Sequence, residues 1–423
     1  MLVVSAPGQD RCTIFGFTNA YVASRARRRT AQAQRWKAHS PVAQGLQAKL
    51  PSLHKPTHLK QKQSRTMATR SLIPATDDLL FLKQVALEAA ETGAKIVHEA
   101  LEKPRNIHFK GVTDLVTDTD RASEEAILEV LRQQVPEHAF LGEEGGVSGN
   151  AHSEYLWCID PVDGTTNFAA GYPSFGVSVA GMTPISAFYP AVTLASFSAL
   201  THNVAARSAR NTKWRVHHYC YFVASILEHC AVLHKAVPVA AAVVEFAGGP
   251  LAWVTRTYTA SKGAGAQCNG KDLQVTATTD VTQSLLVTGF GYEHDEAWSA
   301  NMELFKELTD VSRGVRRLGA AAIDLCHVAL GVSDGFWEYR LKPWDCAAGV
   351  LMVQEAGGTV TTMTGSPYTV FHRTTLASTP GLHQRLLETL KPKTEGLIQQ
   401  GYPLGTWYVP EVYEQYVEQV SNL

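Results

Sequence analysis

Apolar and polar positions follow a regular pattern only from about residue 76 onward. Between residues 79 and 97, apolar side chains recur at steps of three and four, which predicts an amphipathic helix starting near Thr76. Four later stretches share this spacing: residues 126–131, 295–308, 320–330 and 345–356. The Gly357–Gly358 pair provides a C-terminal stop for the last of them.

Short apolar runs between these stretches predict β-strands. They lie at residues 115–117, 140–142, 156–160, 175–180, 237–246 and 253–260. The Cys-Asn-Gly-Lys turn at residues 268–271 follows the last run, so this part of the chain is expected to form a β-meander. Helices and strands thus mix in an αβαβα order, which indicates an α+β or α/β protein.

Charge divides the 423 residues into two unlike parts. Residues 1–70 contain thirteen Lys or Arg against one acid, a net charge of +12, whereas the remainder carries −13. We interpret residues 1–70 as a disordered organelle transit peptide, residues 71–400 as the folded domain and residues 401–423 as a C-terminal extension. A basic arm that contacts nucleic acid is the alternative for the first segment, but the acidic body argues against nucleic acid as a partner.

Cysteine usage and apolar runs exclude two further classes. The seven cysteines include no C-x-x-C pair, so neither a disulfide framework nor a zinc site is indicated, and a reducing compartment fits. Residues 164–206 contain no charged side chain, but prolines and hydroxyl residues leave no apolar run of 18. No transmembrane helix and no membrane partner are expected.

Residues 156–168 carry the strongest chemical signal, because an apolar strand runs directly into the sequence D-P-V-D-G-T-T-N-F. Asp160 and Asp163 offer hard oxygen ligands that suit Mg²⁺. The amides of Gly164 and Thr165 are placed to face a phosphate at a helix N-terminus. Metal-assisted hydrolysis of a phosphate ester is the chemistry that this segment predicts.

Other acidic residues stand where predicted elements begin or end. Glu143 follows a strand and Asp345 starts a helix, so both are expected to share one cleft with Asp160 and Asp163. Taken singly, each has an ordinary explanation: Glu143 as a solvated turn, Asp163 as part of an Asp-Gly turn, and Asp345 or Asp120 as a helix N-cap. Their joint presence beside paired threonines favours a metal centre.

Two long motifs resemble the signatures of the inositol monophosphatase family. Residues 157–168 match W-x-[IV]-D-P-[IVL]-D-G-T-T-N-F, and residues 344–358 match W-D-x-A-A-G-x-x-[IVL]-x-x-E-A-G-G. Shorter matches at residues 114–120 and 142–146 extend the likeness over residues 77–182 and 237–390. The chain is most similar to the plant and algal chloroplast-type members, which implies the layered αβαβα sandwich of that family.

The resemblance implies a role for particular residues. Metal ligands are expected at Glu143, Asp160, the Val162 carbonyl, Asp163 and Asp345. Thr165, held by Asp120, is expected to activate water together with Glu143. The substrate pocket is expected to include the residues Glu143, Val162, Asp163, Gly164, Thr165, Gly319, Ala320, Ala321, Glu338 and Asp345. Animal enzymes often carry a hydroxyl residue at the position of Ala320, so a polar contact is missing there.

The resulting hypothesis is a phosphomonoesterase that uses two or three Mg²⁺ ions and hydrolyses myo-inositol 1-phosphate or a similar polyol phosphate. Alternatives are L-galactose 1-phosphate, histidinol phosphate or fructose 1,6-bisphosphate as substrate, or an inactive scaffold protein. In-line attack by metal-activated water needs no other nucleophile, and single histidines are expected to be structural or on the surface: His108, His294, His327 and His372. The resemblance also implies inhibition by lithium, a homodimer, and the chloroplast stroma or alternatively the mitochondrion.

Residues 183–236 depart from the family pattern, because two strands are expected to be joined there by a short turn. The 54 residues contain no glycine and one acid, yet hold five of the sixteen histidines. A disordered insertion with one helix at residues 221–233 is expected, and an unspliced intron is an equal alternative. A zinc site is a further alternative, using His217, His218, Cys220, His229 and Cys230.

Overall fold

The computed structural model describes residues 76–103, 107–109, 115–184 and 236–407. All of them belong to one unit, Thr69–Leu423. The predicted transit peptide, residues 185–235 of the predicted insertion, the helix and zinc site expected within it, and residues 408–423 lie outside the described residues.

The described residues contain seven α-helices and fifteen β-strands. The helices are α1 (Thr76–Ala100), α2 (Asp118–Gln134), α3 (Thr165–Ala170), α4 (Glu296–Val311), α5 (Ala321–Ala329), α6 (Pro343–Glu355) and α7 (Pro380–Gln399). The strands are β1 (Ile107–Phe109), β2 (Leu115–Thr117), β3 (Ala139–Gly142), β4 (Gly146–Gly149), β5 (Leu156–Asp163), β6 (Phe175–Pro184), β7 (Ala236–Ala247), β8 (Val254–Ser261), β9 (Ala266–Cys268), β10 (Lys271–Asp272), β11 (Leu285–Thr288), β12 (Gly314–Arg316), β13 (Gly335–Tyr339), β14 (Thr359–Thr361) and β15 (Thr374–Ser378). All five helices predicted from apolar spacing are present.

Eight strands form the larger sheet, in the order β10-β9-β8-β7-β6-β5-β3-β4. Strands β5 to β10 pair antiparallel with their neighbours in sequence, which confirms the predicted meander. β3 and β5 pair in parallel, so their carboxyl ends lie at the same edge of the sheet. The smaller sheet has the order β12-β11-β13-β15-β14, with β11 parallel to both neighbours.

Alternating apolar residues place each sheet between two helical layers. On β5, Trp157 and Ile159 face a core built with α1 and α2, whereas Cys158 faces α5 and α6. On β13, Phe336 faces that same central helical layer, and Trp337 packs into a third core with α4 and α7. The layers therefore follow the order αβαβα, as predicted. Trp157 is fully buried, and its replacement by Ala would cost about 3–5 kcal/mol of stability.

The ladder between β6 and β7 continues to the ends of both strands. Its last pair joins Pro184 to Ala236, after a register shift between Gly181 and Met182. The two strands are thus longer than the apolar runs predicted, and they include the first and last residues of the predicted insertion. None of the described helices has the length and apolarity needed to cross a bilayer.

Candidate active site

The parallel pairing of β3 and β5 brings two acidic strand ends together. Glu143 follows β3 directly, and its backbone amide donates to the Ile159 carbonyl of β5 at 3.1 Å. Further along β5, the pairing with β6 shifts register between Asp160 and Asp163. The amide of Val162 inside this irregular stretch donates to Asp160 Oδ1 at 3.0 Å, which fixes that carboxylate at the strand end.

Gly164 forms the turn between β5 and α3. Its φ is 83°, in the left-handed region that favours glycine. A Cβ at this position would lie 3.0 Å from both the Ala320 Cβ and the Ser174 carbonyl oxygen. The turn therefore requires glycine for its conformation and for the close approach of the loop before α5.

The start of α5 holds the second aspartate of the motif. The Ile323 amide donates to Asp163 Oδ2 at 3.0 Å, and the Ala321 amide also favours the charged carboxylate. Asp345 plays a similar part at the start of α6, where its Oδ2 accepts from the Lys342 amide at 2.7 Å. Both carboxylates are therefore positioned by backbone groups of their own or a neighbouring helix start.

A buried hydroxyl links the motif to α2. Thr165 Oγ1 lies 3.0 Å from Asp120 Oδ1 and 3.1 Å from the Val162 carbonyl oxygen, and it can donate to either. Asp120 also accepts hydrogen bonds from the amide and hydroxyl of Thr117, which completes a capping box at the start of α2. Burial raises the pKa of Asp120, although the hydrogen bonds from Thr117 and Thr165 oppose this shift.

These elements surround one cavity of about 500 Å³. Among the residues expected at the site, those lining it are Glu143, Asp160, Val162, Asp163, Gly164, Thr165, Gly319, Ala320, Ala321, Glu338 and Asp345. Asp120 stands behind this lining and reaches it through Thr165. The structure therefore brings together residues from β5, α3, α5, β13, α6 and three loops, which lie between Glu143 and Asp345 along the chain.

Burial and mutual repulsion dominate the electrostatics of this cavity. Burial raises the pKa of Asp160 well above its ordinary value, and nearby Glu143, Asp163 and Asp345 raise it further. Burial likewise raises the pKa of Asp163 and of Glu338, each to about 8. Such a concentration of carboxylates is stabilised by protons or by a cation.

The donor set suits a hard divalent cation. Four carboxylates and the Val162 carbonyl, all lining one cavity, are oxygen ligands of the kind that Mg²⁺ takes in proteins. Within the described ranges, no three or more His, Cys, Asp or Glu side chains already stand close enough to hold one ion. The chemical type of the donors, rather than a finished coordination shell, is what fits the metal.

Comparison with known proteins decides the family. The sequence profile of the inositol monophosphatase family matches residues 78–183 and 229–395. The chain belongs to the inositol monophosphatase family. It is 52% identical over 332 residues to "Phosphatase IMPL1, chloroplastic" of Arabidopsis thaliana, covering 78% of this chain and 76% of that protein. It is 32% identical to "Inositol-1-monophosphatase" of Synechocystis, covering 74% and 90% of the two chains.

A solved member of the inositol monophosphatase family shares the fold. The structure of inositol monophosphatase from Anabaena aligns with a TM-score of 0.55 at 32% identity, covering 75% of this chain and 97% of that one. Together with the family match, these relatives identify the protein as a phosphatase enzyme. The resemblance inferred from residues 157–168 and 344–358 is thereby confirmed.

Several cavity residues of this family member carried no signal in the sequence. They are Phe290, Tyr292, His294 and Trp298 near the start of α4, the basic residues Arg317, Arg340, Lys342 and Arg373, and Trp407. His294 is exposed, as expected for a surface residue, and it also lines the cavity, where its ring lies tilted against Trp298 with 4.8 Å between centroids. Trp407 lies in the segment interpreted as a C-terminal extension.

Two buried ionisable side chains, Asp324 and Cys346, lie near the site. Asp324 on α5 is fully buried, and neither carboxylate oxygen has a hydrogen-bond partner among the described residues. Burial, followed by repulsion from Asp163 and Glu338, raises its pKa well above the usual value. Cys346, adjacent to Asp345, is also buried, which raises its pKa to about 12. Burial therefore disfavours the reactive thiolate form of this side chain.

Proposed function

We propose that the protein is a Mg²⁺-dependent hydrolase of myo-inositol 1-phosphate or a similar polyol phosphate. The observation that carries the proposal is a single cavity that contains four acidic ligand candidates and, on β13, the further carboxylate Glu338. The first group suits a metal-bound phosphate, and the second suits hydroxyl groups of the polyol.

Metal ligation is assigned to Glu143, Asp160, Asp163, Asp345 and the Val162 carbonyl. Two or three Mg²⁺ ions at these residues would screen the phosphate charge and acidify water. The chain's own contribution is orientation of that water. When Thr165 Oγ1 donates to Asp120 at 3.0 Å, its lone pairs are left to accept from water beside Glu143.

The phosphate is assigned to the turn after β5, where the left-handed Gly164 changes the chain direction before the amide of Thr165. The loop of Gly319, Ala320 and Ala321 faces the same cavity and would adjoin the polyol with Glu338. Ala320 is 1% exposed and offers no hydroxyl, so recognition on that side rests on shape and on backbone groups.

A second substrate class has one observation in its favour. Three basic side chains, in addition to the ion-paired Arg340, line the cavity together with the carboxylates: Arg317, Lys342 and Arg373. A substrate with two anionic groups, such as fructose 1,6-bisphosphate, would use this positive charge. L-galactose 1-phosphate and histidinol phosphate differ from inositol phosphate chiefly in the part that Glu338 would contact.

Location and assembly are proposed from the relatives and the sequence. The Arabidopsis relative is named as chloroplastic, which supports import of this chain into the chloroplast stroma, with residues 1–70 as its transit peptide. Residues 71–400 would then form the working domain, with residues 183–236 as an insertion. We further propose a homodimer that is sensitive to lithium, as the family resemblance implies.

Phosphate release from a substrate panel tests the proposal. We expect hydrolysis of myo-inositol 1-phosphate to require added Mg²⁺ and to stop with EDTA, with fructose 1,6-bisphosphate as the competing substrate. Undiminished activity after exhaustive chelation would contradict the metal assignment. Absence of phosphate release from every ester in the panel, with the protein folded, would favour the inactive scaffold instead.

A further inference from the structure

Arg340 adopts a backbone conformation that residues other than glycine rarely adopt. It follows β13 two residues after Glu338 and has a φ of 68°. Within the described residues, Asn269 is the other non-glycine residue with positive φ. Unlike Asn269, Arg340 lines the active-site cavity. Unfavourable backbone conformations of this kind persist where surrounding contacts impose them, and they concentrate at functional sites.

The contacts of Arg340 explain how this conformation is maintained. Its guanidinium pairs with Glu293 through Nη1 and with Asp295 Oδ2 through Nη2, the latter at 2.5 Å. Its backbone amide donates to the Arg373 carbonyl at 2.5 Å. The side chains of Arg340 and Asp295 are only 16% and 18% exposed, so this pair is shielded more than an ordinary surface salt bridge.

Both acidic partners belong to the loop of residues 289–295, which joins β11 to α4 and contributes six residues to the cavity lining. This loop, here termed the pocket loop, passes directly beside the proposed polyol contact. A Cβ added to Gly289 would lie 2.1 Å from the Glu338 carboxylate, so any larger residue at this position would displace that carboxylate.

The two ends of the pocket loop are fixed by α4. At one end, Asn301 Nδ2 donates to the Gly289 carbonyl at 2.7 Å. At the other, Asp295 caps α4 by accepting from the Trp298 amide at 3.1 Å. Arg340 adds a tie from the opposite wall, since it joins the far half of the loop to the end of β13, the strand that carries Glu338.

We propose that Arg340 is a positioning residue for substrate specificity, because its cation holds the pocket loop against Glu338 and so shapes the part of the cavity that receives the polyol. The inference rests on the proposed function and deepens it. The proposed metal and phosphate contacts come from Glu143 after β3, from β5 and the turn that follows it, and from α3 and α6, so none of them involves the ion pairs of Arg340.

Arg340→Gly tests the proposal, because it removes the cation and also relieves the left-handed backbone. We expect the KM for myo-inositol 1-phosphate to rise about tenfold, equivalent to about 1.4 kcal/mol. We expect kcat to stay within about twofold. The KM for p-nitrophenyl phosphate, which lacks polyol hydroxyls, should stay unchanged. Arg340→Lys, which keeps one charge, should restore part of the affinity.

Asn269→Gly is the matched control, since it relieves the other left-handed residue at a turn outside the cavity lining. It should leave both substrates unaffected. Asp295→Asn provides a second test, because asparagine keeps the cap of α4 but loses the ion pair. It should reproduce the selective rise in KM. Equal changes for both esters in Arg340→Gly, or no change at all, would overturn the proposal.

Hydrogen–deuterium exchange of the pocket loop separates this inference from the proposed function. Amides of residues 289–295 should exchange faster in Arg340→Gly than in the wild type or Asn269→Gly, whichever ester the enzyme uses. A wild type that hydrolyses p-nitrophenyl phosphate but no polyol phosphate would contradict the proposed substrate class. The positioning role would still be decided by exchange, and unaltered exchange in Arg340→Gly would refute it.

Discussion

Asp163 combines more constraints than a turn residue needs. It is 5% exposed, and its carboxylate accepts a hydrogen bond from a backbone amide of α5. Burial and the neighbouring carboxylates both raise its pKa. Removing the charge of Asp163 should therefore change the stability of the metal-bound and metal-free proteins in opposite directions. Without metal, a neutral amide at this position removes repulsion from Asp345; with metal bound, it would remove a proposed ligand.

Asp163→Asn should lower phosphate release by about a hundredfold or more and abolish the rise in Tm that Mg²⁺ gives the wild type. Its metal-free Tm should equal or exceed that of the wild type. Asp310→Asn is the control, because Asp310 sits on α4 in an exposed pair with Lys306. Thermal unfolding with and without Mg²⁺, beside a phosphate assay, checks both parts, and a retained metal response would disprove the ligand role.

At single positions, sequence reasoning worked where a residue type and an element boundary coincide. Glu143 follows β3, Asp163 ends β5 and Asp345 lies in the first turn of α6, so their convergence on one cavity could be predicted from the pattern. Arg340 could not be predicted in this way, since nothing local distinguishes an arginine in the left-handed region from one in a strand. Asp324 was also missed, because its isolation is a property of the packed core and not of its neighbours in sequence.

Among the elements, the segment after α7 has the least expected relation to the site. It pairs back along residues 371–373, with the Trp407 amide donating to the Phe371 carbonyl at 2.7 Å. The Trp407 ring meets Trp344 edge-on, with 5.1 Å between centroids, directly beside Asp345. The family profile ends at residue 395, so this segment adds a cavity wall beyond the matched region.

Trp407→Ala should lower kcat/KM for the polyol phosphate severalfold, because it removes a cavity wall and the support of Trp344. Trp407→Phe should retain most activity, since a smaller ring can still meet Trp344. Trp253→Ala is the control: Trp253 packs edge-on against Phe175 at 5.3 Å, away from the cavity lining. Steady-state kinetics and Tm together check this, and equal kinetic losses in both alanine variants would indicate a general packing effect.

Helices and strands could be predicted from the sequence where their apolar positions repeat over enough residues. Helices such as α1 and α4 repeat their apolar positions over several turns, so their existence was clear from the sequence. The strands of the smaller sheet span only three to five residues, too short for any alternation to stand out. α7 contains Pro392 in its interior, which obscures a helical pattern, and it was not predicted.

For the whole molecule, the carboxylate-rich centre predicts how stability varies with pH. Asp163 and Glu338 have pKa values raised to about 8, whereas in an unfolded chain they would titrate near 4. Between these limits the folded state binds more protons than the unfolded state, so its stability falls as pH rises. Above about pH 8 both groups are charged in the folded and the unfolded state, so they cause no further loss of stability.

The metal-free protein should therefore lose about 5 °C or more of Tm between pH 5 and pH 8. Mg²⁺ should offset much of this loss, because cation binding to the folded state stabilises the charged carboxylates. Calorimetry across this range in EDTA and in Mg²⁺ measures the effect. Stability that rises with pH in EDTA would show that these carboxyls are charged in the folded state without metal.

The ladder joining β6 to β7 has a consequence for how the gene for this protein can change. Its final pair, Pro184 and Ala236, brings the outgoing and returning backbones to about 5 Å of each other, a gap that a two-residue hairpin would span. We therefore expect changes of length between residues 184 and 236 to leave in place the larger sheet, which carries Asp160 and Asp163. A reporter domain inserted between Pro184 and Ala236 should therefore leave phosphate release unchanged.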